Sequence, residues 1–180
     1  MSMAIIAGKK YGVLLPLAIV ATLSGCGLTQ KVSDSTVAMT KSIFYKQVKM
    51  LHLDITARDA INNNAGGAPL AMVVRIYQLK DRKVFDGTDY PSLFADDSQA
   101  IKADLITEKG IRIRPGAAVT IDVPLDEEAQ FVAVAGMFMS PDFTNDTWRV
   151  VLSRDDLDPD NARQIELNNQ GITLTALKDK

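Results

Sequence analysis

The chain has 180 residues, 23% of them charged and 47% apolar, and a formal net charge of −2. A balance this close to neutral excludes the broad basic surface that nucleic-acid binding requires. One cysteine and one histidine exclude an internal disulfide framework and fall short of the three or four His/Cys ligands that zinc usually takes.

Lys9-Lys10 precede a run from Tyr11 to Leu23 that is apolar except for Gly12, Pro16 and Thr22. A basic start, a short apolar run and a small-residue exit describe a secretory signal. Ser24, Gly25 and Gly27 end the run well before the roughly 20 apolar residues of a membrane span, so a retained anchor helix is the weaker reading. The exit, Leu23-Ser24-Gly25-Cys26, resembles the lipobox of bacterial lipoproteins: an aliphatic residue, two small residues, then a thiol that accepts a diacylglyceryl group. The alternative, a buried free cysteine, fits poorly with a position directly after a signal segment. Cleavage before Cys26 leaves 155 residues, and because Lys9 and Lys10 are the only charges removed, the net charge becomes −4. The expected division is a signal peptide over 1–25, a lipidated tether over 26–47 and one domain over 48–180, which is enough chain for a single core. The expected cofactor set is empty apart from covalent diacylglyceryl and N-acyl lipid on Cys26. Two or three acyl chains hold a protein on a membrane where one does not. Gly27, in place of the aspartate that retains enterobacterial lipoproteins on the inner membrane, favours the outer membrane with the domain in the periplasm.

The tether begins polar, and Ile43, Phe44 and Tyr45 offer a docking point near its end. Leu51 to Arg58 alternates apolar and polar residues as a half-buried strand does. Asn62, Asn63, Asn64, Ala65, Gly66, Gly67, Ala68 and Pro69 form a long turn-rich stretch without apolar mass, and a strand resumes over Ala71 to Leu79. A small helical insertion is expected over about 84–107. It has a helical turn at Pro91 to Phe94 and a helix capped at Asp97-Ser98, with Ile101 and Leu105 on its inner face. Further strands follow: Ile111 and Ile113 before a Pro115-Gly116 turn, Val119 to Leu125, the doubly buried Phe131 to Phe138, and Trp148 to Ser153. A hairpin then joins Ile165/Leu167 to Ile172/Leu174/Ala176 through Asn168 to Gly171. About eight strands with frequent turns predict an all-β antiparallel sandwich with a small helical insertion.

Catalytic chemistry is hard to assemble. His52 lies on the polar phase of the first strand, where a solvated residue is the natural reading, and no second histidine or free thiol completes a nucleophilic site. Asp156, Asp158 and Asp160 fall at positions 1, 3 and 5 of a calcium loop. However, Asn161 replaces the required glycine and Leu167 the bidentate glutamate, so a solvated loop is the better reading and no metal site is assigned. No carboxylate pair stands out for sugar chemistry. The inventory points to a protein that binds rather than reacts.

The order of features resembles one family. A lipobox, a first strand and an Asn/Gly/Pro-rich loop lead into VVRIYQLKD (Val73 to Asp81), with Phe85 and Leu93 in a helical insertion. FVAVAGMF (Phe131 to Phe138) and Trp148-Arg149 follow. Together, over about Leu51 to Leu152, they are similar to the outer-membrane lipoproteins of bacterial type VI secretion, the TssJ/SciN/VasD-like family. The resemblance implies a transthyretin-like β-sandwich with a non-enzymatic role, holding the periplasmic domain of the inner-membrane TssM (IcmF-like) protein. It assigns partner contact to the loop between the first two strands, here Asn62 to Leu70. The stretch FMSPDFTNDTWR (Phe138 to Arg149) is longer and less acidic than the family's FRD…WR pattern, so no role passes to this second loop by resemblance. Two other readings share the sandwich pattern: another binding lipoprotein such as a secretin pilotin, and a transthyretin-like hydrolase. The hydrolase family has several histidines and a terminal Tyr-Arg-Gly-Ser-like motif, whereas this chain has one histidine and ends Thr175 to Lys180.

Overall fold

The computed structural model describes residues 48–176. The signal, Cys26, Gly27, the tether with Ile43 to Tyr45, and the last four residues lie outside the described range.

Eight strands are described: β1 (Met50–Ala57), β2 (Met72–Leu79), β3 (Leu105–Ile113), β4 (Ala118–Pro124), β5 (Phe131–Gly136), β6 (Arg149–Ser153), β7 (Arg163–Leu167) and β8 (Ile172–Leu174). They form two four-stranded sheets, ordered β4-β1-β7-β8 and β3-β2-β5-β6. The alternation of β1 decides its placement, because Leu51, Leu53 and Ile55 are fully buried while His52 and Asp54 are half-buried. Val74 and Ile76 of β2 and Val132 and Val134 of β5 belong to the same apolar core. The expected sandwich is therefore present, with one departure from an all-antiparallel plan. β1 pairs with β7 in parallel register, Ile55 opposite Ile165, whereas its other neighbour β4 is antiparallel. His52 is also more than a solvated residue: its Nδ1 meets the carboxylate of Asp122, its register partner on β4.

Strand β5 is buried on both faces, as its continuous apolar run requires. The small residues Ala133 and Ala135 lie opposite Tyr77 and Arg75 of β2, and this face is covered by the insertion between β2 and β3. The insertion holds α1 (Lys83–Gly87), α2 (Tyr90–Phe94) and a 3-10 segment (Asp96–Ile101). Phe85, Leu93 and Ile101 are fully buried apolar side chains of the insertion, and the Phe85 ring lies 5.7 Å from that of Tyr77. The turn at Pro91 to Phe94 is thus present, with Asp89 as its cap accepting the Ser92 N–H. The helix expected from Asp97-Ser98 to Leu105 is not. Its segment is capped by Ala95 and Ser98 stands at φ 54°, a left-handed conformation that a right-handed helix does not accommodate. The buried Ser98 hydroxyl donates to Glu108 at 2.8 Å and accepts from Arg75 at 3.3 Å. The chain then enters β3 at Leu105, six residues before the expected strand.

Strand direction gives this domain two ends. Val48 and the loops around Asp126 and Arg154 share one end, where the Arg154 guanidinium donates to the carbonyls of Val48, Asp126 and Ala129. The β1–β2, β3–β4, β5–β6 and β7–β8 loops share the other.

Candidate protein-binding site

The sequence places its candidate site in the loop from Asn62 to Leu70, at the end opposite Val48. The loop has no charged residue, yet it is built rather than slack. Ile61 at its base is fully buried, and the Leu70 N–H closes the base on the Ile61 carbonyl at 3.2 Å. Inside, Asn64 organises the turn: its Oδ1 accepts the N–H groups of Gly66 and Ala68 at 3.0 Å each. Its backbone N–H and carbonyl bond to Ala68 and Gly67. Gly67 stands at φ 79°, where a side chain is strained. The expectation of a stretch without a core role is corrected at Asn62, which is buried and at φ 50°. Asparagine tolerates that left-handed conformation better than most residues.

From there the Asn62 Oδ1 accepts the N–H of Met139 at 2.6 Å. The Asn63 N–H donates to Asn169 Oδ1 at 2.7 Å. Of the four loops at this end, the β1–β2, β5–β6 and β7–β8 loops are therefore bonded to one another and form a three-loop end.

The β5–β6 loop is the second part. The Tyr90 hydroxyl donates to the Phe138 carbonyl at 2.8 Å, and burial pushes that hydroxyl's pKa up. The Asp142 N–H donates to the Gln170 carbonyl at 3.1 Å. The Asp142 carboxylate accepts from the Asn145 side chain at 2.7 Å and from the Thr144 and Asn145 N–H groups. These bonds, the Asn145 side chain foremost, hold its pKa below the usual carboxylate range. Trp148 is expected in strand phase with Val150. Instead it precedes β6 and packs beneath the insertion, with its ring 5.1 Å from Tyr90. Arg149 fixes the whole corner. Its guanidinium donates to the carbonyls of Phe85, Thr88 and Asp86 and twice to Asp146 Oδ2, at 2.7–3.0 Å. It also lies 4.5 Å over the Trp148 ring.

Apolar side chains crown this end. Among the described residues six large apolar side chains are most open to solvent, and four of them, Leu70, Met137, Met139 and Phe143, lie in or beside these two loops, with Met139 and Phe143 each 63% exposed. The sequence singles out the first loop and assigns no role to the second, which the structure bonds to it through Asn62 and Met139. A signal was available in the Met139 and Phe143 side chains, set among turn-forming Ser, Pro, Asp and Asn.

Elsewhere, the calcium-like run serves the backbone. The Asp156 carboxylate accepts the N–H and hydroxyl of Ser153, and Asp158 accepts the N–H groups of Asp160 and Asn161. Among the described residues no group of three His, Cys, Asp or Glu could hold a metal ion, and no helix is long and apolar enough to cross a membrane.

The domain is thus an eight-stranded sandwich with a helical cover and exposed apolar side chains at one end, and its class follows from the family its sequence matches. The sequence matches the family described as type VI secretion lipoprotein, VasD, EvfM, TssJ over residues 49–170, and the chain belongs to that family. It is 49% identical to a chain in a structure described as the T6SS protein TssM C-terminal domain from EAEC, with TM-score 0.67, covering 72% of this chain and all of that one. It is 51% identical to a chain of a type VI membrane complex, with TM-score 0.69 and coverage of 72% and 100%. The lipoprotein TssJ1 from Pseudomonas aeruginosa, at 24% identity, TM-score 0.62 and coverage of 73% and 98%, has the same fold. Comparison with curated proteins gives no match. Membership in a type VI family favours that system over the secretin pilotin reading.

Proposed function

We propose that this chain is the outer-membrane-anchored component of a type VI secretion membrane complex and holds the periplasmic domain of the inner-membrane TssM (IcmF-like) protein. The observation that carries the reading is the 49% identity, over the whole matched chain, to a component of a structure described by the TssM C-terminal domain. In this reading residues 1–25 are removed on export, Cys26 carries the lipid, Gly27 directs the chain to the outer membrane, and 26–47 tether the domain. The loop Asn62 to Leu70 touches the partner. The role is mechanical and not enzymatic: two or three acyl chains hold one end, and the opposite end of the domain offers a pre-shaped surface to the partner. Replacement of Cys26 by serine tests the anchor. The variant is expected to accumulate as soluble periplasmic protein and to abolish type VI secretion; normal secretion from an unanchored chain overturns the reading.

A further inference from the structure

We infer that the β5–β6 loop, through Met139 and Phe143, supplies the apolar centre of the surface that grips the TssM periplasmic domain. The β1–β2 loop then acts as a support as well as a contact. This rests on the partner proposed above and adds the residues that would do the gripping.

Three observations converge. First, Met139 and Phe143 are the two most exposed large apolar side chains among those described, each at 63%. Such side chains on a loop carry a solvation cost that protein interfaces recover on burial.

Second, the loop is held in place before any partner arrives. Met139 is fixed by Asn62 and Phe138 by the Tyr90 hydroxyl. Asp142 is fixed by Gln170, and Asp146 by Arg149. The Phe143 ring rests edge-on against Tyr90 at 5.6 Å. Ordering costs that normally weaken loop-mediated binding are therefore already met in the fold.

Third, the charge pattern selects the occupant. The loop Asn62 to Leu70 carries no charge, the carboxylate of Asp142 is engaged by Asn145 of its own loop, and that of Asp146 is paired with Arg149 at the start of β6. The surface therefore suits a partner's apolar patch rather than a strongly charged one.

The test is a titration of the full lipoprotein in detergent with the TssM periplasmic domain, read by fluorescence anisotropy. Met139→Ala and Phe143→Ala are each expected to weaken binding about tenfold or more, the range of central apolar anchors, and Met139→Glu more still. Val84→Ser removes an exposed apolar side chain on α1 and is expected to leave affinity within twofold. Thermal unfolding of each variant shows that the fold is retained, and Met139→Glu preserves the test if Phe143→Ala loosens the Tyr90 contact. Wild-type affinity in both Met139 variants and in Phe143→Ala overturns the inference and leaves the proposed function intact. Absence of wild-type binding overturns both. Two further outcomes overturn it in favour of another occupant. In one, the variants change self-association of the free chain in sedimentation. In the other, they change co-sedimentation of the Cys26→Ser chain with phosphatidylethanolamine/phosphatidylglycerol vesicles. In either case TssM binding is unaltered.

Discussion

The side-chain oxygen of Asn62 accepts the backbone N–H of Met139 at 2.6 Å, joining two loops that are 77 residues apart in the chain. Because Asn62 is buried, water does not readily replace the lost acceptor. Asn62→Ala should therefore lower stability by about 1–3 kcal/mol, with roughly a further 1–2 kcal/mol because alanine resists the left-handed backbone. Asn62→Gly separates the two terms, relieving the backbone cost while still removing the acceptor. Urea unfolding midpoints measure both, and equal midpoints for wild type and Asn62→Ala contradict the assignment.

Arg149 is the second point of dependence. Arg149→Lys keeps the charge but not the planar fork that reaches three carbonyls and Asp146. A loss of about 2–4 kcal/mol is expected. Trp148 is the only tryptophan, so its emission should shift to the red as the corner opens. An unchanged spectrum with unchanged stability would show that the clamp is dispensable.

Acid should loosen the domain at identifiable places. The Asp142 carboxyl is held below its ordinary value first by the Asn145 side chain, Asp89 by the Ser92 N–H, and Asp156 by the Ser153 hydroxyl. A lowered folded-state pKa means the ionised group stabilises the fold above the unfolded value of about 3.9. That contribution fades as pH falls through the lowered folded value. Stability should therefore decline below about pH 4, and Asp142→Asn should show a shallower decline. Stability that rises on acidification through that range contradicts these assignments.

Glycine matters at one loop position for conformation alone. Gly67 stands at φ 79° with open space around it, so Gly67→Ala should cost about 1–2 kcal/mol through backbone strain and nothing through collision. Deleting Gly66-Gly67 removes the turn that Asn64 organises, and should weaken capture of the TssM domain while the sandwich stays folded. Unchanged affinity after the deletion, measured by pull-down, would assign the first loop a structural role only.

Legibility in the sequence followed burial. The alternation at Leu51, Leu53 and Ile55 and the unbroken run of β5 announced their strands because a core selects side chains by face. The first half of β3, Leu105 to Gly110, carried no such pattern. It is an edge strand joined to β2 through the backbone, and its side chains are half-buried or exposed, with none fully buried. The parallel pairing of β1 with β7 joins residues more than a hundred positions apart, beyond the reach of any local signal. At the site, the run of three asparagines read as a turn. Asn62, unlike Asn64, is buried, and the partner of its side-chain oxygen is Met139 in a distant loop. The Ser98 conformation is likewise decided by Arg75 and Glu108, so the local cap pattern at Asp97-Ser98 misled.

The central claim is that this lipoprotein binds the TssM periplasmic domain through its three-loop end. Isothermal titration of the full, detergent-solubilised chain with that domain tests it most directly. A saturable 1:1 isotherm with Kd of about 1 μM or tighter, lost in the Met139→Glu variant, is the predicted result. No heat and no co-elution with the wild-type chain at roughly a hundredfold higher concentration would contradict it.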